Sequence, residues 1–195
     1  MNTTSSIEPS HYPDVMADLR ATFESGLTRD LAWRDRQLAA LNDLLEDHED
    51  RIVEALGQDL AKPKQEVFLG ELALLYSEIK YARKHLKKWA KPRGVRTPLA
   101  GQPGKSFIVP EPAGVVLIIG AWNYPIQLIL GPLIPAIAAG NCALLKPSEV
   151  APKTAHLVAS LVPAYLDQRA YRVVEGGVEE TTALLAERFD HIFYT

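Results

Sequence analysis

The 195-residue chain has a single cysteine, five scattered histidines and no net-charge extreme, its formal charge being -3. Each shortage excludes something. One thiol, Cys142, cannot form an internal disulfide and fits a reducing compartment, most simply the cytoplasm. Histidines placed singly, with no cysteine partners at metal-ligand spacing, give no structural zinc site. A near-balanced charge offers no electrostatic reason for nucleic acid as a partner. The polar, Pro-containing start MNTTSSIEPSHYPD lacks the basic start and apolar core of a signal peptide. The G-x-G-x-x-G fingerprint and the P-loop are both missing, so a dinucleotide, if bound, is not held by its pyrophosphate in the usual Rossmann manner.

Against these absences stands one uncharged, His-free stretch over 114–145, GVVLIIGAWNYPIQLILGPLIPAIAAGNCALL. It is long enough to cross a bilayer of about 30 Å. Asn123, Gln127, Pro132, Pro135 and Asn141 make it a poor spanning helix, so no membrane segment is assigned. It divides into a β-branched strand (115–119), a polar aromatic loop (120–124), a helix (126–139), a Gly140-Asn141 turn and a second strand (141–145).

Upstream, residues 1–13 read as a flexible lead-in, followed by a helix that Asp14 would N-cap. Leu31, Leu38, Leu41, Leu45, Ile52, Val53 and Leu56 form an apolar stripe on a longer helical region that needs a partner surface. The longest helix spans 65–89, its stripe running Phe68, Leu72, Leu75, Ile79, Ala82, Leu86 and Trp89. Glu66, Glu71 and Glu78 near its start and Lys84, Lys87 and Lys88 near its end follow the order the helix dipole favours. The basic run there reads as a solvated helix end. Pro92, Pro98, Pro103, Pro110 and Pro112 punctuate 91–112 into short extended runs about a turn at 100–104, a projecting two-stranded arm. After Lys146-Pro147-Ser148-Glu149 come a helix (154–166), a strand (171–174), a Gly176-Gly177 turn, a helix (179–188) and a strand (191–194). Alternating strands and helices predict an α/β fold, with N-terminal helices and a doubly wound, Rossmann-like parallel sheet. Ending on a strand implies a truncated domain.

Ligands of open parallel sheets bind beyond the carboxyl ends of the strands. Asn123 stands there between Trp122 and Tyr124. Its neutral amide can donate to an oxyanion or merely hold the turn; both readings stay open. Lys146 and Glu149 can grip a ribose diol or form a surface ion pair. Cys142 lies inside an apolar strand without a basic neighbour and reads as a small core residue rather than a nucleophile.

EPAGVVLIIGAWNYP followed by GPLIPAIAAGNCALLKPSE, with GGVEETTALLAERFDHIFYT and KPKQEVFLGELALLYSEIKYARKHLKKWAKP, resembles the N-terminal half of an aldehyde dehydrogenase. The likeness is to the class 3-like NAD(P)-dependent group and runs from about residue 14 to the end. The resemblance implies that Asn123 is the oxyanion-hole amide of a thiohemiacetal intermediate. It implies that Ala121 and Trp122 line the nicotinamide side of the cofactor cleft, and that Lys146 and Glu149 bind the adenosine ribose. Gly176 and Gly177 would lie near the adenine. NAD is the implied cofactor, NADP being possible, because the Glu149 carboxylate disfavours an extra phosphate. Residues 14–93 and 113–195 would form an incomplete cofactor domain, and 94–112 the bridging arm of a homodimer. The nucleophilic cysteine, the glutamate base and the catalytic domain of the family are missing, so the resemblance implies no activity for these residues alone. The alternative is a non-catalytic truncated paralogue serving as a binding or dimerisation module.

Overall fold

The computed structural model describes residues 8–195. Eight α-helices among the described residues surround a four-stranded parallel sheet, and a two-stranded antiparallel arm stands apart. The sheet strands are β3 (Val115–Ile119), β4 (Cys142–Lys146), β5 (Tyr171–Val173) and β6 (His191–Tyr194), in the order β5-β4-β3-β6. β3 and β4 are buried at every residue, as continuous apolar runs in a sheet covered on both faces must be. The order reverses beside β3. Helices α6 (Gln127–Ala139) and α7 (Pro152–Tyr165) carry the crossovers toward β5, and α8 (Val178–Ala186) carries the crossover back to β6. Right-handed crossovers put α8 on the other face from α6 and α7. Helix α1 (Tyr12–Glu24) packs on β3 and β4. Helices α2 (Leu31–Asp47), α3 (Glu49–Leu60) and α5 (Ala73–Trp89) form an outer layer over α6 and α7.

Several expected boundaries shift for identifiable reasons. Of the lead-in expected over 1–13, residues 1–7 lie outside the described residues, while Pro9–His11 form a 3-10 turn and α1 begins at Tyr12. Asp14 is therefore not the N-cap but a first-turn carboxylate facing the helix dipole; Pro13, second in the helix, suits its first turn because it has no N–H to leave unpaired and its φ is fixed. The helical region expected from Leu31 breaks at His48 (φ -124°) into α2 and α3. The long helix expected over 65–89 is α4 (Lys64–Val67), a π turn (Phe68–Leu72) and α5. The π turn rotates the stripe, so that Val67, Leu72, Leu75, Ile79, Ala82 and Leu86 are buried while Phe68 and Trp89 are exposed. Strand β4 extends through Lys146, which lies opposite Ile119. The arm pairs β1 (Arg93–Val95) with β2 (Ser106–Ile108) and leaves Leu99, Phe107 and Ile108 exposed. No helix among the described residues is long and apolar enough to cross a membrane.

Distant side chains cap what local sequence leaves open. Asp59 of α3 accepts from Lys153 and Thr154 N–H (3.1 and 2.7 Å) at the start of α7, which has no side-chain cap of its own. At the α6–β4 turn, Gly140 adopts φ +88°, and a Cβ there would lie 2.5 Å from the Arg34 guanidinium. That buried guanidinium donates to the carbonyls of Thr28 (2.7 Å), Ala138 (3.1 Å) and Arg29 (3.1 Å). A cation at the C-terminal end of α6 also complements its dipole. Replacing Arg34 with Ala strands three carbonyls, so Arg34→Ala is expected to lower unfolding stability by about 3 kcal/mol in urea melts. Loss below about 0.5 kcal/mol would mean that water replaces the guanidinium freely.

Candidate active site

Three loops leave the carboxyl ends of β3, β4 and β5, and the loop after β3 sits where the strand order reverses. That reversal is where open α/β sheets place their ligands. Gly120 ends β3 with its N–H on the Lys146 carbonyl (3.0 Å); a Cβ on it would press to 3.1 Å from Ile129 of α6. Beyond it, Ala121 is half-buried, while Trp122, Asn123 and Tyr124 are exposed.

Two side chains from the helical layer hold this loop, and sequence reasoning gave neither of them a role there. Glu71, in the π turn, is fully buried, and Lys62 lies just after α3. The Lys62 Nζ donates to Glu71 Oε1 (2.8 Å) and to the Asn123 carbonyl (2.7 Å), and it sits 3.8 Å from the centroid of the Tyr124 ring. The other carboxylate oxygen of Glu71 accepts from the N–H groups of Ile126 (2.8 Å) and Gln127 (3.1 Å). Ile126 itself offers no capping side chain, so Glu71 caps α6 from a distance. One signal was present in the sequence: Glu71 falls beside Leu72 and four residues before Leu75, a single charge on an apolar helix face. Among the described residues the Asn123 carboxamide makes no hydrogen bond, and the loop is held by Lys62 and Glu71 instead. The amide is available to a ligand.

At the end of β4, Lys146 Nζ lies 2.6 Å from Glu149 Oε2. The Lys146 side chain is 3% exposed and that of Glu149 46%. The hydrogen bond from Lys146, with one from the Glu149 backbone N–H, holds the Glu149 carboxyl below the usual carboxylate range. The ion pair is formed, but it is surface-exposed on the carboxylate side alone. The Gly176-Gly177 turn closes on it. A Cβ at Gly177 would lie 4.0 Å from Glu149 Cγ, and one at Gly176 would lie 2.4 Å from Glu180 Cγ. Glu180 in turn accepts from the Gly177 N–H (2.7 Å). Lys146, Glu149 and the two glycines therefore form one cradle. An exposed carboxylate beside a buried ammonium, over side-chain-free backbone, has the donors and acceptors that a sugar diol needs. Asn123 and Trp122 belong to the adjacent loop, linked to the cradle by the Gly120–Lys146 ladder bond and by no side-chain hydrogen bond among the described residues.

Other candidates converge on nothing. His156 lies 3.6 Å from Glu175 on the exposed side of α7. Arg83 pairs with Asp35 (2.8 Å), and the His85 ring packs between Tyr81 and Trp89. Among the described residues no group of three His, Cys, Asp or Glu could hold a metal ion. Cys142 is fully buried, and burial pushes its thiol up to about 12. A thiol held there is almost wholly protonated at neutral pH and sealed from a substrate.

Two outcomes follow from these environments. Iodoacetamide at pH 8 should leave native Cys142 unmodified and alkylate it after unfolding in urea, read by intact mass; rapid native labelling would contradict the sealed core. Because its folded carboxyl is depressed, Glu149 contributes stability that is present above the ordinary carboxylate range and lost as pH falls through the lowered value. Carbon-13 titration should show Glu149 moving up toward the ordinary range in Lys146→Met, the backbone N–H still holding it down in part; an unmoved titration would rule out Lys146 as a cause.

Comparison with known proteins bears on the family and the fold. The model of the aldehyde dehydrogenase family matches residues 2–195. An aldehyde dehydrogenase of Craterostigma plantagineum is 50% identical over 181 residues, covering 93% of this chain and 38% of the relative. Aldehyde dehydrogenase family 3 member H1 of Arabidopsis thaliana is 48% identical over 182 residues, with the same two coverages. A structure of Staphylococcus aureus AldH in a substrate-bound state superposes with a TM-score of 0.91 at 43% identity, over 93% of this chain and 40% of that one. The chain thus spans well under half the length of the relatives it matches.

Proposed function

The chain belongs to the aldehyde dehydrogenase family, and from that premise we propose that it forms the N-terminal part of an enzyme oxidising aldehydes to carboxylic acids with NAD(P). The observation that carries the reading is the Asn123 carboxamide, exposed at the strand-order reversal and without an intramolecular partner among the described residues. When a thiolate adds to an aldehyde carbon, the carbonyl π electrons move onto oxygen and leave an alkoxide. A neutral amide that donates to that oxygen stabilises the charge without titrating near pH 7. One such donor is worth about 10²–10³ in rate.

Lys146 and Glu149 would hold the adenosine ribose of the cofactor, the carboxylate accepting from its hydroxyls. Ala121 and Trp122 would line the nicotinamide side, and Gly176 and Gly177 would let the adenine lie against backbone. NAD(P), when bound, supplies the hydride acceptor. The Glu149 carboxylate repels a 2′-phosphate, which favours NAD. The exposed apolar arm suits pairing with a second copy, and the reducing compartment implied by one thiol is the cytoplasm.

With Cys142 sealed, the nucleophile of such an enzyme would be supplied from outside these 195 residues, and the family resemblance implies the same of the general base. We therefore expect the purified chain to produce no NADH from NAD and an aldehyde. Turnover that Asn123→Ala abolishes would overturn this. NAD binding is expected to be weak, with chemical-shift changes at high NAD concentration confined to Lys146, Glu149, Gly176 and Gly177 and erased by Lys146→Met. Micromolar affinity by calorimetry would contradict the weakness; shifts elsewhere, or shifts that survive Lys146→Met, would contradict the cradle.

A further inference from the structure

We infer that Lys62 and Glu71 are positioning residues for Asn123, acting through the main chain of its loop. Every hydrogen-bonding group of the pair is committed to that task. The ammonium spends its donors on Glu71, on the Asn123 carbonyl and on the face of the Tyr124 ring. The carboxylate takes Lys62 on one oxygen and the N–H groups of Ile126 and Gln127 on the other. The loop is thus gripped on both sides of Pro125, a residue that has no N–H to contribute. The Tyr124 ring is confined further by Gly70 of the π turn, where a Cβ would lie 3.1 Å from Tyr124 Cε1. The extra residue of the π turn lets Glu71 and Leu72 both face inward, both fully buried. Single π turns recur at functional sites.

A buried ion pair is a poor way to add stability. Removing two charges from water offsets most of their attraction, and apolar residues of similar volume often serve as well. The side chains of Lys62 and Glu71 are 7% and 0% exposed. What the pair supplies that an apolar pair cannot is four directed hydrogen bonds, three of which fix the backbone that carries Asn123 and starts α6. The carboxamide is left free to donate while its Cα is held. The inference rests on the oxyanion reading of Asn123 for its catalytic meaning, but the loop geometry is measurable without substrate or cofactor.

The test is nitrogen-15 relaxation and amide exchange on the 195-residue chain. In wild type, the amides of Asn123, Tyr124 and Ile126 should show order parameters of about 0.85, the value of rigid backbone. In Lys62→Met/Glu71→Leu they should fall below about 0.6, and the Ile126 and Gln127 amides should lose protection from exchange. The β3 and β4 amides should keep their shifts. Lys62→Arg, which retains charge and donors, should keep the loop ordered. An ordered loop in the folded double variant overturns the inference, as does disorder spread equally through β3 and β4. Glu71→Gln keeps an acceptor and gives a second test should the double variant not fold. It should loosen Asn123 and Tyr124 while Ile126 and Gln127 stay protected, and an unchanged Asn123 would overturn the inference. If the loop responds as stated but the NAD shift pattern above is missing, the positioning role stands and the cofactor reading falls.

Discussion

Burial of β3 on both faces is the constraint from which the arrangement of the site follows. All five of its residues are enclosed, and both edges are hydrogen-bonded, to β4 on one side and β6 on the other. Such a strand has no freedom of register, because a one-residue slip would invert every side chain. Its entry is fixed as firmly. Gly114 (φ +139°) donates to Asn141 Oδ1 (3.0 Å), and Val115 donates to Asp190 Oδ2 (2.8 Å). A Cβ at Gly114 would overlap that same carboxylate. With entry and register set, Ile119 must lie opposite Lys146, so the Asn123 loop and the Lys146–Glu149 cradle emerge at one level.

The helices add a second kind of constraint. They supply through space the caps that the loops cannot supply for themselves: Asp59 for α7, Glu71 for α6, and Arg34 for the α6–β4 turn. Each is a charged side chain meeting backbone polar groups whose alternative partner is water. The outer layer therefore shapes the rim of the sheet as well as covering it. This division explains how a loop of exposed residues can stay in place without bonding to itself.

The elements with strong local signatures were legible in the sequence. β3 and β6 are apolar or aromatic runs bounded by glycine, proline or charge, and the expected bounds of β6 coincide with those found. Gly140 marked the end of α6, since only glycine adopts its backbone readily. Asn123, Lys146 and Glu149 were visible because topology places them at strand ends. Hidden were the contacts that join distant residues. Lys62 and Asn123 are separated by 61 positions, and no periodicity records such a pair. The π turn was hidden too, because one added residue shifts an apolar stripe by less than the scatter of the pattern. Glu71 sat among carboxylates that the helix dipole already accounted for, and its place on the apolar face was the single sign of its burial.

Strand β6 has a consequence for how the molecule behaves in a crowded solution. Among the described residues it pairs with β3 alone, and it carries Ile192, Phe193 and Tyr194 exposed. Its outer edge presents a row of backbone donors and acceptors with no charged side chain among the four residues to screen it. Natural sheets blunt such edges with lysine, proline or a bulge, and none is present here. The strand is thus a template for another strand. An open edge of this kind offers pairing to any strand that approaches it, which makes β6 the place on the sheet where strand addition meets least resistance.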